Sequence, residues 1–271
     1  MHQKSKDIQL HYEGFLQTPC LWVSNSIYKL HQFNIEQKAH SFDQSIDIRL
    51  RLGKYVERLI SYQFMKDTGI DIIAENIQIQ KDKRTLGELD FIISQNNKPI
   101  HLEVIYKFYL YDSKEGNDEL LCWIGPNRKD SLIEKLEKLK QKQLPLLYSE
   151  ECQNYLKSIS LDSVAIEQQI YFKAQLFIPL DNEAITCTKI NKDCIAGFYI
   201  HRNDLHQFRK NKFYIPTKKD WLTVPHTHVD WISHEYFLKE SDQYLERKFS
   251  PMCWMKSDNG ELQKFFLVWW Y

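Results

Sequence analysis

The sequence GELDFII at residues 87–93, followed by PIHLEVIYK at residues 99–107, decides the fold. Both segments consist largely of β-branched, aromatic and other apolar residues with charged residues between them, a composition typical of strands. The segment SQNNK at residues 94–98, which separates them, is polar and typical of a turn. We therefore predict that the two segments pair as an antiparallel hairpin.

Acidic residues lie at alternate positions of this hairpin. Successive residues of a strand face opposite sides, so Glu88 and Asp90 share one face of the first strand. On the second strand, Glu103 shares a face with Lys107. If the two polar faces coincide, carboxylates stand roughly 5 Å apart and repel, and a divalent cation with oxygen ligands is the usual compensation. The alternative is that these residues are solvated on the open face of a surface hairpin.

The segments around the hairpin have clear periodicity. Apolar residues recur at spacings of three and four before it, which predicts a helix, and strict alternation nearest to it predicts a strand. After the hairpin, Asp130 or Ser131 can cap a helix that Pro145 ends. The predicted elements in chain order are a helix (45–66), a strand (72–80), the hairpin, a helix (131–144), a second helix (150–159) and a strand (169–179). A short helix within 16–28 is a further expectation.

The hairpin and its flanking elements resemble the PD-(D/E)XK nuclease superfamily, which has the restriction-endonuclease-like fold. The resemblance is closest to members that carry a GEID…EVK pattern, with Asp90 on the motif Asp and Glu103 on the motif Glu. It implies an α/β (α+β) core with a mixed central sheet, in which the elements follow along the chain as helix, three strands, helix and strand. It also implies that the Asp and the Glu hold a metal ion, and that the motif Lys acts on the attacking water.

A longer pattern resembles an uncharacterised bacterial family, domain-of-unknown-function family 1853, which is grouped with these nucleases. It consists of RTLGELDF at 84–91, KFYL at 107–110 and WIGPN at 123–127. This resemblance covers most of the chain.

The lysine of the motif is displaced. It normally follows the Glu by two residues, and Ile105 occupies that position here. Lys107 is on the correct face but roughly 6–7 Å further along the strand, a distance that its long side chain or a β-bulge can recover. If the site is functional, Lys107 Nζ is expected within about 5–6 Å of a carboxylate oxygen of Asp90 or Glu103. Otherwise Lys135, on the following helix, is a possible substitute.

The sequence allows more than one role for each of two further acids, Glu57 and Glu88. The resembling nucleases often place a Glu on the first helix that reaches the metal or its waters, and Glu57 is in that position. Its alternatives are a salt bridge with Arg58 or Lys54, or plain exposure. Glu88 is an accessory metal ligand, or it pairs with Arg84 or Lys107.

The resemblance implies a nuclease that depends on Mg²⁺ or Mn²⁺ and cleaves nucleic acid, with DNA favoured over RNA. Asp90, Glu103 and Glu88 would bind the metal, Lys107 would orient water, and Glu57 would assist. The alternative is a catalytically inactive module with the nuclease fold that binds nucleic acid or a protein partner. The displaced lysine and a formal net charge of zero both favour this alternative.

Composition bounds the remaining possibilities. The chain has 271 residues, of which 43% are hydrophobic, enough for a sizeable core. The basic residues at the start of the sequence are not followed by an apolar segment, so we expect no signal peptide. No run reaches the roughly 18 apolar residues of a membrane span, and the six cysteines lack CxxC spacing. These features predict reduced thiols and a cytoplasmic location. We expect a nuclease-like core over residues 1–180 and an aromatic-rich C-terminal extension over 181–271, or one continuous domain.

Overall fold

A computed structural model describes residues 2–181, 185 and 187–270. The chain forms two compact units, and several segments contribute to each. The hairpin unit consists of Cys20–Tyr106 and Glu134–Lys173. The terminal unit consists of Met1–Pro19, Lys107–Ile133 and Ala174–Tyr271. The boundary that we expect near residue 180 therefore differs from these divisions, because two strands pass from one unit into the other.

Among the described residues, the five α-helices are α1 (His2–Gln17), α2 (Leu52–Lys66), α3 (Leu132–Lys138), α4 (Glu150–Ser158) and α5 (His234–Glu246). The first six strands are β1 (Ser26–Ile27), β2 (Leu30–His31), β3 (Ile70–Lys81), β4 (Arg84–Gln95), β5 (Lys98–Tyr111) and β6 (Trp123–Ile124). The remaining strands are β7 (Glu167–Pro179), β8 (Ile195–His201), β9 (Lys212–Tyr214), β10 (Ile232–Ser233), β11 (Met252–Lys256) and β12 (Leu262–Val268).

The predicted hairpin is confirmed. Strands β4 and β5 are antiparallel, with Phe91 opposite Leu102 and Gln95 opposite Lys98. Asn96 and Asn97 form the two-residue connection and have positive φ angles of 51° and 63°. Two positive φ values are typical of a type I′ turn, which matches the twist of the strands and which asparagine tolerates better than most residues. Strand β3 extends this antiparallel arrangement on the other side of β4.

Helix α2 packs its apolar stripe inside the hairpin unit. Tyr55, Leu59 and Phe64 are almost completely buried. The ring of Phe64 contacts that of Phe91 on β4 edge to face, with centroids 5.6 Å apart. The helix begins at Leu52 instead of residue 45, because the backbone of Arg51 is extended.

The terminal unit contains a mixed sheet in which β8 is parallel to both β7 and β12. Strands β9 and β11 continue it with antiparallel pairs. Its aromatic residues form a core, and Phe213 stacks on Phe237 of α5 with centroids 4.3 Å apart. The aromatic residues of the C-terminal third thus fill an interior, and the α+β class with a mixed sheet is confirmed.

Three further outcomes concern single elements. The short helix expected within 16–28 is wrong, since α1 ends at Gln17 and the antiparallel pair β1–β2 follows. The helix after Ser131 is confirmed at its start, but after Lys138 it continues as a π-helical turn, Leu139–Gln143. Within the described part of the chain, no helix has the length and apolarity of a membrane span.

Candidate metal centre

Three carboxylates converge in the hairpin unit. Glu57 comes from α2, and Glu88 and Asp90 come from alternate positions of β4. One carboxylate oxygen from each lies within 4.8 Å of the others. We call these three residues the acidic cluster. Glu57 is buried, and Glu88 and Asp90 are half-buried, so water screens their mutual repulsion only in part.

Asp90 is the member whose protonation is most perturbed. Its Oδ2 accepts a hydrogen bond from the backbone N–H of Val104 at 3.0 Å. Burial, followed by repulsion from Glu103, raises the pKa of Asp90 from its ordinary value of 3.8 to about 8. The hydrogen bond from Val104 and the positive charge of Lys135 oppose that rise. Without a bound cation, Asp90 therefore holds a proton at neutral pH.

Glu103 lies beside this cluster but is held separately. It is completely buried, and the register that pairs Phe91 with Leu102 brings it next to Asp90 along the hairpin. Its Oε1 lies 3.2 Å from Nε2 of His101, which is also completely buried. Its Oε2 accepts a hydrogen bond from Nε2 of Gln143. Both oxygens of the carboxylate are thus oriented by the protein.

The contacts of His101 determine which of its nitrogens carries the proton. Gln168 Nε2 donates to the carbonyl oxygen of Leu144 at 2.7 Å, which fixes the orientation of the amide. The same nitrogen donates to Nδ1 of His101 at 3.0 Å. In the neutral ring, Nδ1 is therefore the acceptor, and Nε2–H donates to Glu103. The sequence reasoning missed His101, Gln143 and Gln168.

Lys54 supplies the amine that contacts the acidic cluster. Its Nζ donates to Glu57 at 2.7 Å, to Asn76 Oδ1 at 2.9 Å and to Glu88. Burial lowers the pKa of Lys54, but the hydrogen bonds to the two carboxylates outweigh it and raise the pKa. Burial also raises the pKa of Glu57, which Lys54 opposes. The salt bridge between Glu57 and Lys54, one of the alternatives from the sequence, is present.

A second lysine acts on the site through a glutamine. Lys135 Nζ donates to Oε1 of Gln143 at 2.8 Å, and the amide of Gln143 in turn donates to Glu103. Lys135 also lowers the pKa of Asp90 by its positive charge. The residue proposed as a substitute amine is therefore linked to both hairpin acids.

The structure pairs Lys107 with an acid other than Asp90 and Glu103. Its Nζ donates to Oδ2 of Asp130 at 2.5 Å, and both residues belong to the terminal unit. Ile105, at the usual lysine position, is buried. The ion-pair partner that the structure gives Lys107 is thus the partly exposed Asp130.

When all its carboxylates are ionised, the site has two more negative charges than positive charges. Glu57, Glu88, Asp90 and Glu103 carry four negative charges when ionised, whereas Lys54 and Lys135 supply two positive charges. Arg58 of α2 does not contribute to this balance, because it pairs with Glu75 on β3. A hard divalent cation prefers carboxylate oxygens, and one such ion would neutralise the remaining charge. The donor set therefore fits Mg²⁺ or Mn²⁺.

A family model described as "Domain of unknown function (DUF1853)" matches residues 22–268. The chain belongs to this family. The match includes the acidic cluster, both lysines that act on it, and the residues that hold Glu103. The family predicted from the sequence is thus confirmed. No curated protein and no solved structure shows significant similarity to the chain.

Proposed function

We propose that this member of the DUF1853 family is a metal-dependent nuclease of the PD-(D/E)XK superfamily that hydrolyses phosphodiester bonds in nucleic acid. DNA is the favoured substrate over RNA. The observation that carries the proposal is the acidic cluster, three carboxylates from α2 and β4 within 4.8 Å of one another beside the buried Glu103. We place the reaction in the cytoplasm, which the six cysteines support, because none of them forms a disulfide within the described residues.

The cation would be held by Asp90, Glu88 and Glu57. When bound, Mg²⁺ or Mn²⁺ supplies charge stabilisation at the phosphate and activates water near neutral pH. Asp90 gives up its proton when the cation binds, because a nearby positive charge favours the ionised carboxylate. Metal binding is therefore coupled to proton release at this residue.

The surrounding residues keep the carboxylates in position. His101 and Gln143 hold both oxygens of Glu103, and such outer partners typically contribute 10- to 100-fold to metal affinity or activity. Lys54 places an ammonium between Glu57 and Glu88, where it can also attract a phosphate. In this proposal, Lys54 and Lys135 replace the motif lysine, since Lys107 pairs with Asp130.

The test is cleavage of supercoiled plasmid, single-stranded DNA and branched DNA with Mg²⁺ or Mn²⁺. The wild type should cleave at least one substrate, and Asp90→Asn should reduce cleavage by roughly 100-fold or more, as loss of a central electrostatic group does. The matched control is Asp71→Asn, because Asp71 is an exposed acid on β3 outside the cluster. No cleavage of any substrate, or equal cleavage by wild type and Asp90→Asn, refutes the proposal.

A second candidate is a catalytically inactive module that binds nucleic acid or a protein partner. The observation that favours it is that both candidate catalytic lysines already form ion pairs. Lys107 pairs with Asp130, and Lys54 pairs with two of the three candidate metal ligands. Titration with Mn²⁺ in a calorimeter distinguishes the two candidates. The nuclease requires binding that Asp90→Asn abolishes, whereas the inactive module shows none that depends on Asp90.

A further inference from the structure

A cavity of about 490 Å³ lies within the terminal unit. Segments from α1, β7, β8 and β12 line it, and small residues such as Ala174 and Ala196 leave it open. Gly14 and Gly197 also line it, and a Cβ atom on either would lie 2.0 Å from a backbone carbonyl oxygen. The volume is in the range of about 300–1,000 Å³ that small-molecule sites have.

A buried lysine contributes to the lining of this cavity. Lys264 on β12 is only 7% exposed. Its Nζ donates to Oε1 of Gln175 at 2.9 Å and to the carbonyl oxygen of Trp221 at 3.0 Å. Gln175 Nε2 also donates to the Trp221 oxygen at 3.1 Å, which fixes the orientation of the amide. Both acceptors of the lysine are neutral, and no salt bridge within the described residues includes Lys264.

This environment lacks a counter-charge for the ammonium. An ammonium has three N–H donors, and the two acceptors use two of them. Burying a charge without an opposite charge is costly, and burial lowers the pKa of Lys264 to about 7. The other titratable groups that line the cavity are Asp193, which is exposed, and Cys194, whose thiol donates to the carbonyl oxygen of Pro19.

We propose that this cavity binds a small organic acid whose carboxylate accepts a hydrogen bond from Lys264 and whose apolar body packs against Ile195, Phe198 and Leu222. The carboxylate would provide the counter-charge that the protein itself does not. A monoanion fits better than a phosphate, because a single ammonium with one remaining donor cannot satisfy a doubly charged group. This site is independent of the acidic cluster, which belongs to the hairpin unit.

The proposal predicts a specific dependence on pH. The bound carboxylate favours the ammonium, so it raises the pKa of Lys264 and the complex takes up a proton above pH 7. Affinity therefore levels off about one pH unit below 7, where the free lysine is almost fully charged. It falls by up to about tenfold for each pH unit above 7, where the free lysine has lost its proton.

Isothermal titration of the full chain with hexanoate, octanoate and benzoate tests this inference. 1-Hexanol is the matched ligand without charge, and Lys256→Met on β11 is the matched protein control. We expect at least one carboxylate to bind wild type and Lys256→Met, with at least tenfold weaker binding by Lys264→Met. Ala196→Leu fills the cavity and leaves Lys264 in place, so it should weaken binding similarly, and it carries the test if Lys264→Met does not fold.

Several results would overturn the inference. One is the absence of binding for all three carboxylates at millimolar concentration. Others are equal binding by wild type and Ala196→Leu, or binding of 1-hexanol as tight as that of hexanoate. Affinity that stays constant from pH 7 to pH 9 would also contradict the role of the Lys264 ammonium.

Discussion

Replacing Asp90 with asparagine should stabilise the metal-free protein at alkaline pH. The pKa of Asp90 is raised from 3.8 to about 8 in the folded protein, mainly by burial and by repulsion from Glu103. The folded state therefore holds more protons than the unfolded state between these two pH values, and stability falls as the pH rises through that window. Asparagine cannot ionise, so the variant lacks this loss.

The magnitude follows from the difference in pKa. Each pH unit of difference corresponds to about 1.36 kcal/mol, which sets a ceiling of roughly 6 kcal/mol. Because Asp90 is half-buried and water screens part of the charge, we expect Asp90→Asn to raise the free energy of unfolding by about 2–4 kcal/mol at pH 8. At pH 5 the folded carboxyl is neutral but the unfolded one is mostly ionised, so Asp90→Asn should be more stable than wild type by only about 1–1.6 kcal/mol.

Urea denaturation in EDTA at pH 5 and pH 8 measures this difference, with Asp71→Asn as the control for loss of an exposed acid. Saturating Mn²⁺ at pH 8 should stabilise the wild type and leave Asp90→Asn unchanged, since a ligand that binds only the folded state stabilises it. The reasoning is refuted if Asp90→Asn is less stable than wild type at pH 8 in EDTA. It is also refuted if the difference is the same at both pH values.

Three other predictions concern neighbouring residues. Lys54→Met removes an ammonium that occupies oxygens of Glu57 and Glu88, so calorimetry should show tighter Mn²⁺ binding, whereas the cleavage rate should fall. Lys107→Met is the control, because the partner of Lys107 is Asp130, and its Mn²⁺ affinity and cleavage rate should both stay within about twofold of wild type. Gln143→Leu leaves the buried Oε2 of Glu103 without its donor, which should lower the free energy of unfolding by about 1–3 kcal/mol in thermal or urea denaturation. The cleavage rate at subsaturating Mn²⁺ should rise between pH 6 and pH 8 as Asp90 loses its proton, and a rate independent of pH would contradict its role as a ligand.

The elements around the site could be predicted because local patterns determine them. Alternation along 87–93 and 99–107 and the polar segment 94–98 specify the hairpin, and the structure has it with longer strands and a two-residue connection, Asn96 and Asn97. The periodicity of α2 places Glu57 on the helix before the sheet. The start of α2 was predicted too early, since apolar residues before Leu52 mimic the helical spacing while the backbone of Arg51 is extended.

The partners of the charged side chains were harder to predict from the sequence. Lys107 pairs with Asp130, which lies 23 residues away, and no local pattern specifies that contact. Gln143 reaches Glu103 from a π-helical turn, which the helical periodicity does not predict. Two signals were available, however. Lys54 is three residues before Glu57 on one helix face, and His101 shares a strand face with Glu103.

The most direct test of the central claim is anomalous diffraction from crystals of the wild type and Asp90→Asn grown in Mn²⁺. The account predicts one Mn²⁺ ion in the wild type between Glu57, Glu88 and Asp90, with carboxylate oxygens within roughly 2.0–2.6 Å of the ion, the range of oxygen ligands to hard divalent cations. It also predicts no ion at that position in Asp90→Asn. The account is contradicted if the wild-type crystals show no anomalous peak among these carboxylates, or if an equal peak remains in Asp90→Asn.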